Sequence, residues 1–138
     1  MPATGERRRA RERALGLLYE MEIKGVTADE VIVALPIPPE AYAETLARGA
    51  SEHRVEIDRF VARHLTAWAI DRLPAIDRQL LRLATYELLD QPEVPVAVVI
   101  DEAVELAKQY STEDSGRYVN GVLSAVAAEA RPVATAPS

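Results

Sequence analysis

Five arginines fall within the first thirteen residues of the chain. A guanidinium group can bind a phosphate through two parallel hydrogen bonds and can stack on a nucleobase. Arg7, Arg8 and Arg11 are spaced i, i+1 and i+4, which predicts that they share one side of a helix. A solvated helix end, with the arginines paired to Glu6 and Glu12, is the competing interpretation, and the pattern alone leaves both open.

The charge distribution favours a small anionic partner. Residues 1–13 carry five arginines against two glutamates, which gives +3, whereas residues 14–138 carry 11 basic and 20 acidic groups, which gives −9. A basic segment on an acidic body predicts an interaction arm. Wrapping of a long duplex is disfavoured because it needs a broad basic face. A short or single-stranded partner bound at one end is the remaining expectation.

Catalytic and metal-binding apparatus is scarce in the sequence. The chain has no cysteine, which excludes disulfides and thiolate chemistry. His53 and His64 are eleven residues apart on one predicted helix, roughly 16 Å, which is too far to share a metal ion. No glycine-rich phosphate loop, Ser–His–acid cluster, secretory signal or membrane span is visible. We therefore expect a cytoplasmic protein without enzymatic activity, metal or cofactor.

A few other side chains could contribute to a site. Tyr19 and Tyr118 could stack on unpaired bases, although a buried tyrosine with a bonded hydroxyl is the commoner arrangement. Asp101, Glu102 and Glu105 lie in the first turns of a predicted helix, where negative charge interacts favourably with the helix dipole. We therefore do not assign these carboxylates to an active site.

The elements that position these residues have helical periodicity almost throughout. The first helix carries an apolar stripe and is predicted to end at Gly25. Thr27 and Glu30 have the spacing of a capping box, which predicts the start of a short second helix. The prolines between residues 36 and 39 then interrupt the chain.

The later part of the sequence predicts four further helices. One long helix is predicted from Ala43 to Trp68, and others begin near Pro74, Pro95 and Glu113. The helix after Pro74 is apolar on more than one side, so we expect it to be the central one. The predicted fold is all-α, a bundle of about six to seven helices that forms a single domain over residues 1–130, followed by a flexible tail over residues 131–138.

Self-association is suggested only by the leucines of the first helix. Leu15, Leu17 and Leu18 point in different directions around the helix axis. One of them is expected to face outward beside the arginines and could close a homodimer contact. The alternative is that Leu15 packs under the proline-rich segment.

Three blocks of the sequence carry a family resemblance. The first is RRRARE at residues 7–12 followed by LLYE at 17–20, and the second is LATYEL at 83–88. The third comprises IDEAVELAK at 100–108, EDS at 113–115 and YVNGVL at 118–123. Over residues 6 to about 127 the chain resembles the NusB family of bacterial transcription antitermination factors.

The resemblance implies an all-α, non-enzymatic RNA-binding protein. With NusE, a ribosomal small-subunit protein, such proteins bind the single-stranded boxA element of nascent ribosomal RNA. The complex joins elongating RNA polymerase and other Nus factors and suppresses premature termination. By this resemblance, the RNA-binding residues are expected to be Arg7, Arg8, Arg9, Arg11, Tyr19, Asp114 and Tyr118. The residues expected to face NusE are Asp77, Arg78 and Glu87.

Two other functions remain open at this point. A NusB-like domain also forms the N-terminal part of a ribosomal RNA cytosine methyltransferase, but no methyltransferase domain follows before Ser138. That function is therefore expected only if the chain is a piece of a longer protein. A helical protein–protein adaptor with an incidental arginine cluster is the third possibility, and it predicts no RNA binding at physiological salt.

Overall fold

The computed structural model describes residues 4–66 and 69–132, and these ranges contain seven α-helices, one short 3-10 helix and no strand. The predicted all-α bundle of six to seven helices is confirmed. The helices are α1 Thr4–Lys24, α2 Ala28–Val33, α3 Ala41–Glu52, α4 Arg54–Ala62, the 3-10 helix Ile70–Arg72, α5 Ala75–Asp90, α6 Val96–Tyr110 and α7 Glu113–Ala130.

The predicted end of α1 and start of α2 are both confirmed. Gly25 follows the last residue of α1 with a φ of 65°, a left-handed conformation that glycine adopts without steric cost. The Thr27 hydroxyl accepts a hydrogen bond from the Glu30 amide at 3.1 Å, and the Glu30 carboxylate accepts one from the Thr27 amide at 2.8 Å. This reciprocal capping box bonds two amides that would otherwise lack partners at the helix start.

The single long helix predicted from residue 43 to 68 is wrong. The chain forms α3 and α4 instead, with a break at His53, where φ is −103° and ψ is 19°. The apolar stripe continues through the break, since Ala50 and Ile57 are both buried, so periodicity cannot reveal it. Trp68, the predicted last residue, lies outside the described residues.

Gly49 allows α3 and α5 to approach closely. A Cβ atom at this position would lie 2.0 Å from Cζ of Tyr86, a separation that real atoms do not tolerate. The glycine therefore makes room for the Tyr86 ring.

The central position predicted for the helix after Pro74 is confirmed. That helix is α5, and it packs against α1, α3, α4, α6 and α7. Its apolar residues on several sides are almost fully buried, namely Leu80, Leu81, Leu83, Ala84 and Leu88. The bundle is therefore organised around one enclosed helix, as expected for a helix that is apolar on more than one side.

The predicted outward-facing leucine on α1 is wrong. Leu15 and Leu17 are 3% exposed and Leu18 is 4% exposed. All three are covered because α1 packs against α2, α3 and α5, which together enclose a wide sector of the helix. The possible homodimer therefore loses the apolar contact on which it was predicted.

The folded domain extends beyond its predicted C-terminal boundary. Arg131, placed in the flexible tail by the sequence, donates hydrogen bonds to four backbone carbonyls at and just beyond the end of α5. The domain therefore includes this residue. Residues 133–138 of the predicted tail lie outside the described residues.

Candidate nucleic-acid interface

The arginine run lies within α1, and the turn of the helix sends its side chains into different environments. Arg11 is 4% exposed and lies in the core. Its Nη2 lies 2.6 Å from Oε2 of Glu87, and its Nε donates to both oxygens of that carboxylate at 3.0 Å. Glu87 is itself 1% exposed. The two side chains are buried and paired with each other, so in this structure neither offers an accessible group for the RNA contact predicted for Arg11 or the NusE contact predicted for Glu87.

Tyr42 completes this buried network and was not predicted from the sequence. Its hydroxyl donates to Oε2 of Glu87 at 2.6 Å, and burial together with this hydrogen bond raises the pKa of Tyr42. The guanidinium carbon of Arg7 lies 3.9 Å from the centre of the Tyr42 ring. Arg7 is therefore half-buried in a cation–π contact rather than fully presented to solvent. Residue spacing gives no signal for Tyr42, since it lies 45 positions from Glu87.

Arg8 occupies an intermediate position at the surface. Its Nε and Nη2 donate to the two carboxylate oxygens of Glu102 at 2.9 and 2.7 Å. The hydrogen bond from Arg8 lowers the pKa of Glu102. The Arg8 side chain is 57% exposed while that of Glu102 is 9% exposed, so α6 anchors the arginine and leaves its outer edge open. From the sequence, Glu102 was expected to interact only with the helix dipole, and this ion pair was not predicted.

Arg9 and Arg13 are the outward-facing members of the run. Both are exposed, and they lie one helical turn apart on the side of α1 opposite the core. The resemblance selected Arg9 but not Arg13. Helical phase would have found Arg13, because residues four apart lie on the same face of a helix. With the outer edge of Arg8, these two side chains form the accessible part of the arginine run.

The aromatic and acidic residues expected near RNA differ in accessibility. Tyr19 is 39% exposed and lies eleven residues after Arg8, which places the two on the same side of α1. The Asp114 side chain is 87% exposed at the start of α7 and forms an ion pair with Arg117. Tyr118 is only partly exposed, and its hydroxyl is buried without a hydrogen-bond partner within the described ranges. The hydroxyl of Tyr118 is therefore not accessible at the surface.

The residues expected to face NusE are enclosed by the bundle. Asp77 is 4% exposed and accepts a hydrogen bond from the Ser115 hydroxyl at 2.7 Å. The Arg78 side chain is 12% exposed and forms an ion pair with Glu22. The prediction of a charged surface pair at this position is therefore wrong. The reason is that α5 is covered on several sides, so polar groups in its first turn bond to neighbouring helices.

The ion pair between Glu22 and Arg78 should make the stability of the protein depend on pH. The Glu22 carboxylate accepts hydrogen bonds from Arg78 and Gln79, and Arg82 lies 3.7 Å away. The hydrogen bond from Arg78 contributes most to lowering the pKa of Glu22 below its ordinary value of 4.5. A carboxylate with a lowered folded-state pKa stabilises the fold above the unfolded-state value and loses that contribution as the pH falls through the folded-state value.

We expect Glu22→Gln to reduce the free energy of unfolding at pH 7 and to have progressively less effect as the pH falls below 4.5. Urea denaturation of both proteins between pH 7 and pH 3 measures the difference. Glu56→Gln, an exposed carboxylate on α4, serves as the control and should change little. A Glu22→Gln effect that stays constant across this range would contradict the expectation.

The described ranges contain neither a metal-binding cluster nor a membrane-spanning helix. No group of three or more His, Asp or Glu side chains is arranged there to hold a metal ion. None of the helices described is both long enough and apolar enough to cross a membrane.

Comparisons with known proteins give consistent matches over nearly the whole chain. Residues 8–128 match the model of the NusB family. NusB from T. maritima is 37% identical, with 96% of each chain covered and a TM-score of 0.81. NusB from Aquifex aeolicus is 33% identical, with 96% of each chain covered and a TM-score of 0.72.

A third match comes from a crystal structure of the antitermination factors NusB and NusE in complex with dsRNA. One of its chains is 34% identical to this one, with a TM-score of 0.79. The alignment covers 92% of this chain and 99% of that chain.

Proposed function

The chain belongs to the NusB family, and we propose that it is a non-enzymatic RNA-binding factor of transcription antitermination. The observation that carries the proposal is the likeness to the structure of NusB and NusE with dsRNA, which spans 99% of the matched chain. We further propose that the protein acts in the cytoplasm, where it binds boxA of nascent ribosomal RNA together with NusE. There it assists elongating RNA polymerase with other Nus factors.

The geometry of α1 supports RNA binding by a rigid helix. The Arg11–Glu87 pair attaches the first turns of α1 to the central helix, so Arg8, Arg9 and Arg13 project from a fixed backbone. Fixed guanidinium groups lose less conformational freedom on binding than those of an unfolded arm. The acidic remainder of the chain repels RNA elsewhere, which restricts binding to this end of the molecule.

We assign the RNA contacts to the accessible residues of the predicted set. These are Arg8, Arg9 and Tyr19, with Asp114 and the ring of Tyr118 at the edge, and we add Arg13. Asp77, Arg78 and Glu87 are proposed to influence NusE association only indirectly. They hold α5 against α7 and α1 and so maintain the surface that a partner would contact.

The decisive experiment is a titration of boxA RNA and a scrambled RNA of the same composition, each with and without NusE. We expect tighter binding of boxA, and we expect NusE and RNA to raise each other's affinity by the same factor, as linkage requires. Equal and negligible binding of both RNAs at physiological salt would contradict the proposal and favour a protein–protein adaptor.

The exposed arginines should determine the salt dependence of binding. Each phosphate contact contributes about −0.7 to the slope of log affinity against log salt for a single strand. We therefore expect the double variant Arg9→Ala/Arg13→Ala to bind boxA RNA more weakly and to flatten that slope by about 1.4. Filter binding between about 50 and about 300 mM salt provides the measurement.

A matched control removes the same charge from another part of the surface. Arg59→Ala/Arg72→Ala takes two exposed arginines from α4 and the 3-10 helix and should leave the slope unchanged. If both double variants lost affinity equally, net charge rather than the α1 surface would explain RNA binding.

A further inference from the structure

An open groove of about 580 Å³ lies beside the exposed arginines of α1. One wall is the outer face of α1, where Arg9, Arg13, Gly16 and Glu20 follow each other at helical spacing. The opposite wall is the segment between α2 and α3, which contributes Leu35 and Glu40. Arg9 and Arg13 of the RNA surface assigned above form part of this groove, whereas Gly16, Glu20 and the segment between α2 and α3 extend it away from Arg8.

Gly16 makes the wall of the groove unusually flat. It lies in the middle of α1, where glycine destabilises a helix relative to alanine. The fold does not require a glycine there, because a Cβ atom added at this position would have no neighbour within 4 Å. Gly49 is the opposite case, since its missing Cβ makes room for Tyr86. The bare backbone at Gly16 is therefore available for close approach by a bound molecule.

Five charged side chains line the groove, and Glu12, which lies between Arg9 and Arg13, accepts a hydrogen bond from the Tyr110 hydroxyl. Arg9 and Arg13 lie toward the start of α1, and Glu20 lies about 10 Å beyond Arg13 along the helix axis. Glu40 adds a second carboxylate on the opposite wall. Glu20 also pairs with Lys24 at 2.8 Å, but an exposed pair of this kind contributes little and exchanges partners readily.

A single unpaired nucleotide carries groups that complement both the arginines and the two carboxylates of Glu20 and Glu40. Its phosphate is anionic, whereas the edges of cytosine, adenine and guanine carry exocyclic amines that donate hydrogen bonds. Carboxylates accept from such amines, and arginines bind phosphates. Uracil offers only its ring N3–H, which is flanked by two carbonyl oxygens that a carboxylate repels, so the glutamates would discriminate against it.

We propose that this groove is a nucleotide subsite of the RNA surface. It takes one unpaired nucleotide with an amine-bearing base, whose phosphate contacts Arg9 and Arg13, whose plane lies over Gly16 and whose edge donates to Glu20 and Glu40. The subsite rests on the proposed RNA-binding function and adds base selection to it.

A series of substitutions at Gly16 tests the subsite by filling it. Gly16→Ala and Gly16→Leu place side chains in open space and favour the helix, so both variants should fold at least as well as the parent. We expect boxA RNA to bind about as well to Gly16→Ala and at least about tenfold more weakly to Gly16→Leu, since only the larger side chain occupies the groove. Thermal unfolding confirms that each variant is folded.

Gly121→Leu is the matched control. Gly121 is also exposed within a helix, and a Cβ atom there would have no neighbour within 4 Å, so we expect parental RNA affinity. Equal losses in Gly16→Leu and Gly121→Leu, or parental affinity in Gly16→Leu, would overturn the subsite. If the parent protein itself bound no RNA, the proposed function would fail first, and this outcome is recognised without any variant.

Base preference provides a second, independent measurement. Replacing each amine-bearing base of boxA by uridine in turn should identify one position whose replacement weakens binding to the parent protein. In Glu20→Gln/Glu40→Gln that penalty should shrink, while the salt slope stays within experimental error of the parental value. A penalty that is undiminished in this variant would show that the glutamates do not contact the base.

Discussion

Replacing Arg11 by methionine is expected to lower the free energy of unfolding by about 3–5 kcal/mol, the typical cost of removing one partner from a buried ion pair. Glu87 is 1% exposed and would keep only the hydrogen bond from Tyr42 to balance its charge. A buried carboxylate with so few partners is strongly disfavoured in a low-dielectric interior. Urea denaturation at pH 7 measures the loss directly.

A comparison with Arg8→Met shows whether the loss of stability depends on burial of the ion pair or on ion pairing alone. Both arginines lie on α1 and both form bidentate pairs with a glutamate, but the Arg8 side chain is 57% exposed while that of Arg11 is 4% exposed. The loss for Arg8→Met should therefore be much smaller, because solvent screens an exposed pair. Similar losses in the two variants would contradict the role assigned to burial.

The double variant Arg11→Met/Glu87→Met completes the experiment. With both charges removed, no uncompensated carboxylate remains, and apolar replacement of a buried pair is often tolerated. We expect the double variant to be more stable than Arg11→Met alone. Such a recovery would identify the stranded charge, and not lost side-chain packing, as the source of the large effect.

The arginine run shows how far sequence reasoning reaches in this protein. Residue type and number predict an anion-binding segment, but the list of contact residues included Arg11, which is buried. Ala14 and Leu18 follow Arg11 at i+3 and i+7, so Arg11 lies on the apolar stripe that had already been assigned to the core. The helical spacing of the sequence was therefore sufficient to predict that Arg11 is buried. Its partner Glu87 lies 76 positions away, and only the tertiary fold brings the two together.

The partner-facing residues illustrate a conflict between two predictions. The helix after Pro74 was expected to be central because it is apolar on more than one side, and the structure confirms this. A central helix cannot also offer Asp77 and Glu87 to a partner, because its surface is covered by its neighbours. For these residues, periodicity predicted burial more reliably than the family resemblance predicted partner contacts. The reason is that burial follows from the apolar pattern of the whole helix, whereas a contact implied by resemblance depends on a single position.

The break at His53 lies beyond what periodicity can predict. Ala50 and Ile57 flank it on the same buried stripe, so the apolar pattern is continuous although the backbone is not. Neither glycine nor proline marks the position. The second histidine, His64, lies after the end of α4 and bonds to Glu129 of α7 at 2.6 Å, so the two histidines do not share one helix.

Arg131→Ala is the second substitution with a large expected effect. The Arg131 side chain donates to the carbonyl oxygens of Leu88 at 2.9 Å, Gln91 at 2.9 Å and Val94 at 2.5 Å, and to that of Glu87 at 3.3 Å. The last carbonyls of a helix have no partner within the helix, and a positive charge there also interacts favourably with the helix dipole. We expect a loss of about 2 kcal/mol, as for hydrogen bonds from a charged donor to a partly buried acceptor.

The guanidinium geometry, and not the charge alone, should account for this stabilisation. Arg131→Lys retains the charge, but a single ammonium group cannot reach four carbonyls that are spread over the end of α5 and the following turn. We expect its stability to lie between that of the parent and that of Arg131→Ala.

Truncation separates the contribution of Arg131 from that of the residues after it. A chain ending at residue 132 should unfold like the parent, whereas a chain ending at residue 130 should lose as much stability as Arg131→Ala. If both truncated chains were as stable as the parent, the carbonyls of α5 would be satisfied equally well by water, and the domain would end where the sequence first placed its boundary.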